Sequence, residues 1–189
     1  MNIGILLIIG LLVGGWLLFQ NINENNIQNT PASMISSLPS KGHVKIIGTA
    51  GENTISSPTT RTACVFWKIE VQEIGGRYWA TTLEEVSEES FDVHDGTGTI
   101  QVLPDPSCEL KLKRENMQSN TSHDFSPQML GVLHQLGIET TGVLGLNKDL
   151  QVIEKFVRSG EQIHVWGDIK DENGIKKIIA RRITIPSLG

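Results

Sequence analysis

The stretch "FDVHDGTGTIQVLPD", Phe91 to Asp105, sets an aspartate and two glycines between two runs that alternate apolar with polar. Three readings compete: a phosphate cradle, a protease aspartate, or a turn between strands. A phosphate loop needs glycines that lead into a helix whose N-terminal amides face the anion. Here Gly98 leads into Thr99-Ile100-Gln101-Val102, which has the period of a strand. An aspartic protease needs two Asp-Thr/Ser-Gly copies so that paired carboxyls share a proton. Asp-Gly-Thr-Gly occurs once, so Asp95 has no such partner. What remains is a hairpin turn: Asp95 bonds its own backbone around Thr97, and Gly96 and Gly98 supply positive φ or tight packing.

Working outward, most of the chain has the same rhythm. "HVKIIGTA" reads as a short first strand ending at Gly48, followed by the loop "GENTISSPTTRT". "ACVFWKIEVQEI" alternates, with Val65, Trp67, Ile69 and Val71 expected on one face. Gly75-Gly76 reverses it into "RYWATTLEEVS", a hairpin. Beyond the Asp95 turn, "TIQVLPD" and "CELKLKRE" read as two short strands, and "LQVIEKFV", "EQIHVWGDIK" and "IKKIIARRITI" as three more. Asn173-Gly174 joins the last two, since both residues tolerate positive φ.

One segment breaks the pattern. In "FSPQMLGVLHQLGI", Ser126 is placed as an N-cap, Pro127 in the first turn and Gly137 at the end. Leu130, Leu133 and Leu136 are expected to form the apolar stripe of this short helix. The sum is an all-β domain of about eight or nine strands with one short helix. At this size a small closed barrel, OB-like in kind, removes the exposed strand edges.

Ahead of the domain, Ile3 to Phe19, "IGILLIIGLLVGGWLLF", carries no charge and no proline. As a helix it covers about 25 Å, near the lower limit for crossing a hydrocarbon core, and Trp16 suits the headgroup layer. A cleaved signal peptide wants a basic start and a small-x-small site, which "WLLFQNINEN" does not offer. Residues 1–20 are therefore expected to be a single transmembrane helix. Residues 21–40, "NINENNIQNTPASMISSLPS", read as a flexible linker, with the folded domain over 41–189.

The chemistry-bearing residues are sparse. With 16 basic and 21 acidic residues the net charge is −5, which argues against broad binding to a nucleic-acid backbone. Cys64 and Cys108 have no metal-ligand spacing and read as free, partly buried thiols, although one bridge between them is open. The five histidines are scattered without an i, i+4 pair, and no Gly-x-Ser-x-Gly elbow occurs. Trp67, Trp79 and Trp166 read as core or stapling residues rather than a base-stacking platform. "LEEVSEE" reads as a solvated strand end. No catalytic, cofactor or metal residue is expected.

Taken in order, the motifs resemble one family. "KGHVKIIGTA" resembles the opening strand of the GIDE, or BAM ("beside a membrane"), domain, and "SSPTTRTACVFWKIEVQE" its Ser-Pro loop and following strand. Trp79 falls where that family has a tryptophan, and "FDVHDGTGTIQVLP" resembles its Asp-Gly-Thr-Gly hairpin. "VIEKFVRSGEQIHVWGDI" resembles the closing strand pair. The resemblance spans about residues 41–170 and implies a domain beside the bilayer of membrane-bound E3 ubiquitin ligases that engages substrates or partners. Ligase chemistry in that family belongs to a separate RING zinc domain, which two cysteines cannot build. The resemblance transfers no catalytic residue, and Asp95, Gly96, Thr97 and Gly98 are expected to be architectural.

The expected function is thus a membrane-anchored, non-catalytic interaction or scaffold module acting on membrane-proximal proteins. The alternatives are an OB-fold nucleic-acid binder and an accessory subunit of a ubiquitin-like ligase system.

Overall fold

The computed structural model describes residues 30–75, 77–112, 117–121, 125–142 and 147–186. The anchor expected over Ile3–Phe19 lies outside these residues, as do Gly76 and residues 21–29 of the expected linker. Among the described residues no helix is long and apolar enough to cross a membrane.

The described residues are mostly β with one short α-helix. In chain order the strands are β1 (Gly42–Ala50), β2 (Ile55–Ser56), β3 (Ala63–Cys64), β4 (Phe66–Gly75), β5 (Tyr78–Val86) and β6 (Phe91–His94). They continue with β7 (Thr99–Lys111), β8 (Met117–Thr121), β9 (Leu150–Val157), β10 (Gln162–Glu172) and β11 (Ile175–Thr184). Helix α1 (Pro127–Gln135) lies between β8 and β9.

The strands divide between two principal sheets rather than forming one. In the first, the hydrogen-bonded order is β1-β10-β11-β7-β6, and β6 returns to β1 through Thr49↔His94 and Ala50↔Val93. All its pairs are antiparallel except β7 with β11, which run parallel from Gln101↔Lys177 to Lys111↔Thr184. Its inward positions, among them Ile46, Val93, Val102, Ile163, Val165 and Ile178, are fully buried. Each such side chain contributes about 1.5–3 kcal/mol by leaving water. The second sheet, β5-β4-β9-β8, buries Ile69, Val71 and Val152 against Met129 and Leu133 of α1.

The helix has the expected ends: Ser126 Oγ accepts the Met129 N–H at 3.2 Å, and Gly137 takes φ +73°. Its buried stripe differs. Met129, Val132 and Leu133 face inward while Leu130 is 41% exposed. Three-residue spacing from Leu130 drifts around a helix of 3.6 residues per turn, whereas Met129, Val132 and Leu133 hold one face.

Three further expectations are corrected. Val65 does not share the face of Trp67, Ile69 and Val71; it packs into the first core, because the chain bends between β3 and β4. "TIQVLPD" and "CELK" belong to one strand, β7, whose register against β11 jumps from Pro104↔Ala180 to Glu109↔Arg182. The proline pair sits at this irregularity, where a missing N–H costs no ladder bond. The compact unit begins at Ser33 rather than Lys41. Ser33 N–H donates to the Lys45 carbonyl at 2.8 Å, residues 35–37 make a 3₁₀ turn, and Leu38 is 4% exposed in the core.

Candidate functional site

Asp95, Gly96, Thr97 and Gly98 join β6 to β7. Asp95 Oδ1 accepts the N–H groups of Thr97 at 2.8 Å and Gly98 at 3.0 Å, and Gly96 adopts φ +84°. Asp95 Oδ2 accepts the N–H of Ile35 at 2.7 Å, and the Thr97 hydroxyl reaches both carboxyl oxygens. Ser36 N–H in turn donates to Thr97 Oγ1 at 3.2 Å. Burial pushes the Asp95 carboxyl up, but the donors from Ile35, Thr97 and Gly98 outweigh it and hold it below its ordinary value. The carboxyl's oxygens are engaged by the turn and by the segment that precedes β1.

A second junction lies in β9. There Leu150, Val152, Glu154 and Phe156 share one face and all are buried, so alternation alone puts a glutamate among apolar residues. Glu154 is 1% exposed. Its Oε2 accepts from the Ser57 hydroxyl at 3.0 Å, the Thr60 N–H at 3.2 Å and the Thr60 hydroxyl; its Oε1 accepts the Thr59 N–H at 2.8 Å. The Ser-Pro loop between β2 and β3 is thereby folded onto β9, which pairs with β4 and β8 and not with β10, so the two strands expected to close the domain as a pair lie in different sheets. A buried carboxyl needs this many donors to offset lost hydration. Thr59 Oγ1, beside it, is buried without a hydrogen-bond partner.

The cysteines are both free and fully buried, so the bridge left open by the sequence is absent. Burial drives each thiol up to about 12; nearby Glu154 adds to the effect at Cys64, while Lys68 opposes it at Cys108. Lys68 itself is buried and pairs with Glu84 at 2.8 Å, so part of the acidic run "LEEVSEE" serves an ion pair.

The tryptophans separate. Trp166 is 5% exposed, with Lys45 Nζ 5.0 Å above its ring and His164 at 5.7 Å. Trp67 packs partly against the second core. Trp79 is 42% exposed, so of the two roles expected, core or staple, it does not fill the first. It stands opposite Ile74 near the β4–β5 reversal, where Tyr78 is also exposed.

His43 gains a carboxyl that sequence spacing does not reveal, because β1 and β10 place it directly across from Asp168, at 3.3 Å. Arg181, at the irregularity shared by β10, β11 and β7, donates its Nε–H to the same aspartate at 3.0 Å. The network is exposed and lines neither described cavity. One cavity, of about 730 Å³, lies beyond α1 between His134, Ile138, Glu139 and Lys148. Another, of about 340 Å³, lies at the β1–β6 join beside Glu52, Asp92 and His94. Among the described residues no group of three or more His, Cys, Asp or Glu side chains is placed to hold a metal. Comparison with protein-family models and with curated proteins gives no match to this chain.

Proposed function

We propose that the chain is a membrane-anchored GIDE/BAM-like module with an OB-like barrel, a non-catalytic interaction or scaffold domain for proteins at the bilayer surface. The barrel reading is supported by the strand order. Taken along the chain, β1, β6, β7, β10 and β11 pair in the cyclic order first, fourth, fifth, third, second, a Greek-key arrangement with one parallel pair. The β4–β5 hairpin and the β8–α1–β9 unit are insertions into that frame.

The observation that carries the reading is that motif pieces distant in sequence meet. The Ser57 loop rests on Glu154, and Gly48 of β1 lies so close to β6 that a Cβ there would stand 2.6 Å from the His94 carbonyl oxygen. These are the opening strand, the Ser-Pro loop, the Asp-Gly-Thr-Gly hairpin and β9, the first of the two closing strands of the family pattern. The apolar run Ile3–Phe19 supplies the anchor, and the connector after it keeps the domain at raised concentration near membrane proteins. The test is photocrosslinking in intact cells from residues introduced at the exposed positions Lys41 and Glu88. The expected result is a discrete adduct with a membrane-associated protein. Adducts with nucleic acid, or substrate turnover by the purified chain, contradict the reading.

A further inference from the structure

The exposed apolar residues of the domain are unevenly placed. Among the described residues the large exposed hydrophobics are Met34, Ile74, Tyr78, Trp79, Leu130 and Ile175, and three of these six sit at the β4–β5 reversal. Ile74 and Trp79 are direct cross-strand partners, 40% and 42% exposed, and Tyr78, the chain's single tyrosine, is 79% exposed. Arg77, also exposed, lies beside them. Such a pair on a hairpin normally gains by covering one another or a core; here neither core includes these residues.

We propose that this hairpin end is a lipid contact that seats in the headgroup layer of the bilayer. Indole and phenol rings pair an apolar body with a polar N–H or O–H, which suits the boundary between acyl chains and water. Ile74 adds an apolar anchor, and the Arg77 guanidinium matches lipid phosphate. The residues line neither of the described cavities, so no described cavity offers a peptide a seat beside them. A second copy is a poorer occupant. The register between β4 and β5 shifts at Val71/Gln72, and Glu84 and Glu85 follow on the edge strand, both devices that blunt edge pairing.

Chain length fits a lipid occupant. Only residues 20–29 separate the apolar run from Thr30, a length of chain that can span at most about 35 Å. The inference therefore rests on the anchored reading, and its test separates the two.

The experiment uses the full chain carrying Tyr78→Cys, labelled with an environment-sensitive fluorophore and reconstituted into phosphatidylcholine–phosphatidylserine vesicles. Cys64 and Cys108 are fully buried, so the label goes to the introduced cysteine. Glu88→Cys, at an exposed position in the connection between β5 and β6, is the comparison. Expected are flotation with vesicles, blue-shifted emission at position 78 relative to 88, and severalfold quenching at 78 alone by lipids spin-labelled near the headgroup. Ile74→Ser with Trp79→Ser in the 78-labelled chain should abolish that quenching. A chain that floats while position 78 remains in water overturns the lipid contact and leaves the anchor standing. Blue-shifted emission without lipid quenching also overturns it, in favour of a protein contact. A chain that does not float overturns both.

Discussion

Asp95 accepts the backbone N–H of Ile35, 60 residues earlier, at 2.7 Å. One carboxyl thus closes its own turn and also fastens the segment leading into β1. Asp95→Ala removes both roles and leaves N–H groups of the turn without an acceptor. The expected loss is about 2 kcal/mol, within the range for hydrogen bonds to charged groups, read as a lower urea midpoint at an unchanged slope.

The same aspartate predicts a pH dependence. Its folded pKa lies below the ordinary 3.8, so folding favours the ionised form. The stabilisation is fully present above the unfolded value and is lost as pH falls through 3.8 toward the depressed folded value. Asp105, held down by the Ser107 hydroxyl and N–H, and Asp168, where Arg181 and His43 outweigh burial, act in the same direction. Urea midpoints of the parent should therefore fall more steeply in that acid range than those of Asp95→Asn. Parallel curves would contradict the assignment.

Glu154→Leu leaves the Ser57 hydroxyl and the N–H groups of Thr59 and Thr60 without their acceptor in a buried place. Stranding several donors costs about 3 kcal/mol or more. Glu154→Gln, which keeps one oxygen, should cost less. Proteolysis is the sharper readout: cleavage after Arg61 should accelerate in Glu154→Leu, because the loop has lost its fastening.

These elements differ in how legible they were. Helix α1 could be read from Ser126, Pro127 and Gly137 because capping is local chemistry, and β9 to β11 from alternation and the Asn173-Gly174 turn. β8, "MQSNT", has no apolar period; it pairs with β9 through its backbone from Met117↔Lys155 to Thr121↔Gln151, so composition gave no sign of it. The division into two sheets was equally hidden, since pairing partners are set by tertiary packing. At the site, the Asp95 turn was visible, but its donor from Ile35 was not, because that segment has linker composition. Glu154 did leave a signal: a glutamate on the apolar face of an alternating strand.

Two glycines give opposite predictions. A Cβ at Gly167 would lie 2.1 Å from the Ile179 carbonyl oxygen, a backbone atom with little room to yield. Gly167→Ala should fail to fold or lose about 3 kcal/mol or more, as overpacked sites do. Gly131 is in the interior of α1 with nothing within 4 Å of a built Cβ. Gly131→Ala should stabilise by about 0.5–1 kcal/mol through helix propensity. Thermal midpoints compare them directly.

Both thiols, buried and raised to about 12, should resist modification in the native chain. A thiol reagent at neutral pH is expected to label neither Cys64 nor Cys108 until denaturant is added, and then both. Fast labelling of either one in the native state contradicts its burial.

Carbonate extraction of membranes from cells making the full chain bears most directly on the account as a whole. An anchored module stays with the pellet and is released only by detergent, while a chain lacking residues 1–20 moves to the supernatant. Release of the full chain by carbonate alone would show that Ile3–Phe19 does not hold it in the bilayer, and the proposed function would fall with it.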